Sequence, residues 1–328
     1  MADIQRYFEQ FHAAIRVDYD MSQELREKRD IVVEKVQRYL KANSLPACRV
    51  LLQGSYKMKT GVKPVADLEY DIDIGLRFDF NAADYKAEDV RGWVYDAVKD
   101  HTDRCENRGP CVRVVYEKGF HLDLVTYATW EEGAVERYRL AHKTAGWMAA
   151  DPPALLEFVT TARKPYEDTT DSATQTDQFR RVVRCLRRWA DVQEPVETDQ
   201  KPTGLAFVLL CAQHLTPSQF VDLRPDDRRA TETVARRAAQ TIGRIVLQKP
   251  TPEFEDVVRG VTDSNMESLK ERFATLADSL AKAAATADPV EACKLMASQF
   301  GSDFPVPPPE DTGKKTKAPA ITTSSVSA

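Results

Sequence analysis

The sequence predicts an α+β protein of two lobes, a mixed lobe of strands and helices followed by a helical lobe. Three observations carry this. Short apolar runs rich in strand formers, one of them alternating strictly with acidic residues, all fall before residue 151. From Asp151 onward nearly every apolar stretch repeats at helical spacing. The 328 residues suffice for two such lobes around a shared cleft. The expected boundaries are 1–150 for the mixed lobe with its N-terminal helices, 151–304 for the helical lobe and 305–328 for a tail.

Ile4, Phe8, Phe11 and Ile15 recur at helical spacing, and Val32, Val36, Tyr39 and Leu40 continue the pattern in a second helix. CRVLLQ, from Cys48 to Gln53, reads as a strand that stops at Gly54-Ser55, after which a helical turn is expected. EYDIDIGLRF, from Glu69 to Phe78, alternates apolar and acidic residues as a half-buried strand does. Val90, Trp93, Val94, Ala97 and Val98 mark a helix. CVRVVYEKGFHLDLVTYA, from Cys111, reads as a hairpin turning at Lys118-Gly119. The helical lobe follows in QFRRVVRCLRRWADV, GLAFVLLCAQHL, RRATETVARRAAQTIGRIVLQ, SLKERFATLADSLAKAAA and VEACKLMASQF. The tail is rich in Pro, Lys, Ser and Thr, which predicts disorder.

A formal net charge of -5 argues against a protein built to hold bulk nucleic acid, while leaving room for small anionic ligands. The six cysteines form no C-x-x-C pair and read as free thiols in a reducing cytosol. No signal peptide opens the chain, and no apolar run approaches the ~20 residues of a membrane span. The expectation is a soluble, cytoplasmic protein.

The chemistry concentrates between Gln53 and Leu76. Asp71 and Asp73 are two residues apart on a strand, so they project from the same face. Two carboxylates that close repel unless a cation lies between them, and magnesium takes such hard oxygen ligands. Asp123 interrupts the apolar alternation of a later strand in the same way. Taken alone, a D-x-D on an amphipathic strand is more often a pair of solvent-facing acids. Gly54-Ser55 changes the odds: a glycine lets backbone approach a ligand closely, and the Ser55 hydroxyl can bind a phosphate oxygen.

The order strand, Gly-Ser, D-x-D, then one Asp on a later strand resembles the DNA-polymerase-β-like nucleotidyltransferases. QGSYKMKTGVKP, YDIDIGL, HLDLVTY and FRRVVRCLRRWADV with KPTGLAF narrow this further. Together they are similar to a bacterial CD-NTase, the cGAS/DncV-like nucleotidyltransferases of CBASS anti-phage systems. By motif the resemblance covers roughly residues 45 to 215. It implies a polymerase-β-like nucleotidyltransferase lobe and a helical lobe with the active site between them. It also implies that Asp71, Asp73 and Asp123 are the catalytic, metal-binding triad for two Mg2+ ions, or Mn2+ in their place. Gln53, Gly54 and Ser55 would line the triphosphate. Where the family usually carries Lys in LKxW this chain has Arg187, and Thr203 replaces the family's Ser; the phosphate-binding roles are carried over to both.

The implied reaction is attack by a ribose hydroxyl on an α-phosphate of ATP or another ribonucleoside triphosphate, with pyrophosphate released. Repetition would close a cyclic di- or trinucleotide. Asp123 would touch the metal that activates the hydroxyl, with Asp71 and Asp73 bridging both metals. A linear transferase acting on RNA, protein or a small molecule is the first rival, and an inactive nucleotide-binding module the second. DNA or RNA activation is not expected from the acidic charge. A CBASS ancillary protein conjugating the C-terminus is a further expected partner, and the effector would bind product rather than this chain.

Other residues stay open. Arg180, Arg184, Arg187 and Arg188 share a helical face that is either a solvated stripe or a phosphate surface. Tyr56 could stack on a base or pack on the sheet, Arg113 could reach the cleft or solvent, and His121 could lie near the metals but reads more readily as structural. Lys57, Lys59 and Lys63 either guide nucleotide or face water. TGKKTK lacks the spacing and strand of a phosphate loop and is discounted.

Overall fold

In the computed structural model, residues 3–17, 23–65, 70–117, 120–192 and 201–308 are described. The side chains of Glu24, Leu25, Tyr70 and Asp71, the Lys118-Gly119 turn, TGKKTK and the rest of the tail from 309 lie outside the described residues.

Two helices, α1 (Gln5–Ile15) and α2 (Gln23–Ala42), precede the sheet. Then come β1 (Cys48–Leu52), the short α3 (Gly54–Met58), β2 (Tyr70–Asp79), α4 (Ala87–Val98), β3 (Arg104–Asn107), β4 (Val112–Tyr116) and β5 (Phe120–Glu132). β6 (Val135–His142) and β7 (Gly146–Ala150) complete the strands. The sheet order is β1-β2-β5-β4-β3, with β6 on the far half of β5 and β7 on β6. Every pairing is antiparallel except β2 with β5. A parallel pair needs a long crossover, and α4, β3 and β4 supply it.

Alternation decides what each face meets. Ile72, Ile74, Leu76 and Phe78 of β2 and Leu122 and Leu124 of β5 lie in one buried cluster with Val32 and Val36 of α2 and Val90 and Val94 of α4. The opposite face of the same strands carries Asp73, Gly75, Asp123 and Tyr127. One face is thus sealed by helices, and the other is left for chemistry.

The helical lobe contains α5 (Pro152–Arg163), α6 (Gln178–Val192), α7 (Gly204–His214), α8 (Asp227–Ala239), α9 (Asp263–Ala285) and α10 (Pro289–Phe300). Trp189 stacks on Phe273 at 4.7 Å in its core. α1, grouped by the sequence reading with the mixed lobe, joins this core instead. Its Phe8 lies 5.1 Å from Phe304 and its Phe11 5.1 Å from Phe300. Each such full burial is worth about 1.5–3 kcal/mol, and helical periodicity shows a buried face without naming what covers it.

The helix expected over Arg228–Gln248 ends at Ala239. Thr241 and Ile242 are poor helix formers, and Gly243 turns left-handed at φ 70°. Strands β3, β6 and β7 and helix α5 were not anticipated. No described helix is long and apolar enough to cross a membrane.

Candidate active site

β1 ends and α3 begins at a point where only glycine fits. Gly54 has φ 61°, in the left-handed region, and a Cβ there would lie 2.0 Å from Oδ2 of Asp73. The turn after β1 and the acidic strand β2 are therefore in van der Waals contact across this glycine. Gln53, just before it, is extended, and its Oε1 accepts a hydrogen bond from the buried Tyr127 hydroxyl at 3.0 Å. Burial pushes the Tyr127 phenol above its ordinary pKa, which keeps it a donor.

On the sheet face, Asp73 pairs in register with Asp123 of β5, and Asp123 with Arg113 of β4. Parallel register puts both carboxylates on the same face at one level, one strand spacing of about 4.8 Å apart. Asp123 is buried and held by both arms of Arg113, Nε to Oδ1 at 2.7 Å and Nη2 to Oδ2 at 2.6 Å. Burial, and then the neighbouring Asp123, push the Cys111 thiol up to about 12. Asp71 stands opposite His121 on β5, with its side chain outside the described residues. The six cysteines are all free thiols.

A cavity of about 570 Å3 opens in front of this face. Gln53, Gly54, Ser55, Lys57 and Asp73 form its sheet-side wall, and Arg187, Thr203 and Gly204 its helical wall. Five of the predicted residues from two lobes, with Asp73 as a sixth, thus meet in one space. Asp123 lies one strand farther in and does not line it. Thr203 is the N-cap of α7, its side chain makes no capping bond, and Thr203, Gly204 and Leu205 bring the start of that helix to the cavity wall. The Arg187 guanidinium packs flat against Gly204, where a Cβ would lie 2.9 Å from its Cζ, and Nη1 donates to the Thr60 carbonyl at 2.7 Å.

Apart from Arg187, which lines the cavity, the basic face of α6 is buried against the chain and is not a solvated stripe. Arg180, Arg184 and Arg188 are buried. Arg184 Nε donates to the Gly61 carbonyl at 3.1 Å, its Nη2 to that of Lys59, and Arg188 Nη2 to that of Lys63 at 2.8 Å. Together with Arg187 these side chains hold the backbone just after α3 from the helical lobe. Arg180 turns to Asp177, with Nε to Oδ2 at 2.9 Å.

Tyr56 packs at the sheet core beside α2, where Arg29 Nη1 approaches its hydroxyl at 3.4 Å. Lys63 Nζ donates to the Ala14 carbonyl at 2.8 Å, away from the cavity. Lys57 is exposed at the cavity wall, and Lys59 is exposed without lining it. Sequence reasoning missed Lys249 and Glu253, which enter the cavity from the loop after α8. Lys249 Nζ lies 2.7 Å from Glu255 and 3.7 Å from Glu253. No local pattern marks that loop. It also missed Tyr127, whose position four residues after Asp123 on one strand face was the available signal.

The donor chemistry suits a hard divalent cation: carboxylate oxygens of Asp73 and Asp123 at one level, with Gly54 leaving the room. Among the described residues no three His, Cys, Asp or Glu side chains form a ready-made cluster, so Asp71 would have to supply the third.

A parallel strand pair bearing register-matched carboxylates, a Gly-Ser turn pressed against one of them and a helical lobe across the cleft make up a nucleotidyltransferase-like fold. Residues 48–127 match the family model of the cyclic GMP-AMP synthase DncV-like nucleotidyltransferase domain. A cyclic GMP-AMP synthase of Escherichia albertii is 28% identical over 197 residues, 57% of this chain. The alignment spans 42% of that relative's length. Vibrio cholerae DncV cyclic AMP-GMP synthase superposes with a TM-score of 0.71 at 14% identity, covering 92% of this chain and 97% of that one. Escherichia coli MS115-1 CdnC with ATP gives 0.64 at 14% identity, covering 93% and 99%. These likenesses establish the fold.

Proposed function

We propose that this chain makes a cyclic di- or trinucleotide from ribonucleoside triphosphates in anti-phage defence, in the cytoplasm. The observation that carries the reading is the meeting of Gln53, Gly54, Ser55 and Asp73 with Arg187 and Thr203 around one cavity. The CD-NTase relatives support the cyclic product.

In this reading Asp71, Asp73 and Asp123 hold two Mg2+ ions. Ions held there would supply a lowered pKa for the attacking ribose hydroxyl and stabilisation of the departing pyrophosphate. Ser55 Oγ and the α3 backbone bind phosphate oxygens on the sheet side. Thr203, the N-terminal N–H groups of α7 and Arg187 bind them on the helical side. Arg187 keeps its fork oriented by Thr60 and Gly204, so its charge meets the leaving group without reorganisation. Gly54 lets the nucleotide sit against Asp73 with no side chain between. Leu51, Leu155, Leu156 and Val208 offer the apolar wall a base and ribose need.

An ancillary partner that conjugates the C-terminus belongs to the same reading. An ancillary partner as such, without regard to conjugation, is in keeping with a CdnC structure solved in complex with HORMA. The deciding experiment is incubation with the four ribonucleotides and Mg2+, followed by phosphatase and mass spectrometry. A phosphatase-resistant cyclic product made without acceptor is expected. Only linear product, or product only with added RNA or protein, would overturn cyclic synthesis.

A further inference from the structure

We propose that Arg113 is the built-in counter-cation of the acidic site, positioning Asp123 and weakening divalent-metal binding until a nucleotide is present. The inference rests on the reading of Asp73 and Asp123 as metal ligands.

Asp73, Asp123 and Arg113 form a row across three adjacent strands, joined by register on both sides of Asp123. They share one face and one level, so two like charges and one opposite charge lie at successive strand spacings. The Arg113–Asp123 pair is largely out of water, with side chains 16% and 8% exposed, and both carboxylate oxygens are engaged by the one fork. A bidentate grip fixes the carboxylate plane as well as its position.

The electrostatics follow. Asp123 unpaired and buried next to Asp73 would be repelled, and Arg113 offsets that repulsion. An arginine cannot shed its proton, so its charge remains when a dication arrives. In a site this dry the repulsion between guanidinium and dication is weakly screened. Each carboxylate oxygen has a second lone pair, so Asp123 can take a metal while Arg113 still holds it, on the side the fork leaves open. A triphosphate brings the negative charge that outweighs the guanidinium. Metal and nucleotide then bind cooperatively, each raising the affinity of the other by the same factor. Metal alone should bind weakly, which keeps the enzyme from being loaded without substrate.

The test is Mn2+ binding to the full chain, followed by electron paramagnetic resonance, with no nucleotide present. Arg113→Met should bind Mn2+ at least about tenfold more tightly than the natural protein. Arg113→Lys, which keeps the charge but not the fork, should stay near the natural affinity. Arg113→Met should melt lower than the natural protein in EDTA and recover much of the difference in MgCl2. A folded Arg113→Met that binds Mn2+ no more tightly overturns the proposal and leaves a structural ion pair. A natural protein that binds Mn2+ alone as tightly as with α,β-methylene ATP overturns it without any variant. If neither protein binds Mn2+ even with that analogue, the metal-site reading itself falls.

Discussion

On β2 and β5, Asp73 and Asp123 stand side by side on the face that meets the cleft. On α6, Arg180, Arg181, Arg184 and Arg188 are all buried, and their guanidiniums end on chain atoms instead of the cavity. Both are periodic charged patterns in the sequence. The difference lies in reach. An aspartate is short, so strand alternation alone fixes where its carboxylate points. An arginine's long stem can carry its charge to acceptors far along the chain, here carbonyls 123 to 125 residues away in the case of Arg184 and Arg188. Periodicity is therefore a good guide to chemistry for short charged side chains and a poor one for long ones.

The comparison can be broken most directly at the acids. Asp73→Asn should cut product formation about 1,000-fold or more without lowering the melting temperature. Pyrophosphate release and a thermal melt check both halves, and a variant keeping a tenth of the rate would remove Asp73 from the chemistry.

At the arginines the effect should fall on stability. Arg181 and Asp227 are each 1% exposed and joined at 2.6 Å, so Arg181→Met leaves a buried carboxylate uncompensated. The expected loss is about 3–5 kcal/mol in urea unfolding. A loss below about 1 kcal/mol would place the pair with surface salt bridges.

Gly54→Ala sharpens the comparison by pushing a backbone turn against an acid. The left-handed φ costs about 1–2 kcal/mol of stability. Displacement of Asp73 should cost about 100-fold in rate. Equal activity in the alanine variant would mean that Asp73 tolerates a different position.

The last effect is a slope. Burial, then Arg184, hold His12 down at about 2 against an ordinary 6.5, so it stays neutral in the fold while the unfolded chain takes up a proton below 6.5. Stability from this group is complete above pH 6.5 and is lost as pH falls from there toward 2, by up to about 1.4 kcal/mol per pH unit. His12→Gln should flatten that part of the curve in urea titrations from pH 7 to 4, and an unchanged slope would count against a buried neutral imidazole.

Much of the sheet was legible because its signals are local. Ile72, Ile74 and Leu76 alternate with Asp71, Asp73 and Gly75, which marks a half-buried strand without any knowledge of its neighbours. β3, by contrast, is Arg104–Asn107, four residues with no apolar alternation, and it forms because β4 offers an open edge. β6 reads VERYRLAH, too charged for its pattern to stand out, and takes its register from β5. In the site, Gly54 and the acids could be found from motif order. Lys249 and Glu253 could not, because a loop meets the cavity through the packing of the whole helical lobe. Arg113 could be placed on a strand, but its choice of Asp123 over solvent depended on the antiparallel register of β4 with β5.

The contact of α1 with residues at the far end of the described chain bears on the order of synthesis. The strands and α2 and α4 span residues 23–150, so the sheet can assemble once that stretch has left the ribosome. The helical lobe cannot do the same. Phe8 and Phe11 are made almost 300 residues before their partners Phe304 and Phe300. At roughly 5–20 residues per second of translation, α1 waits tens of seconds for its partners with its apolar face uncovered. A holdase binding that face during synthesis would protect the nascent chain at the time it is most prone to aggregate.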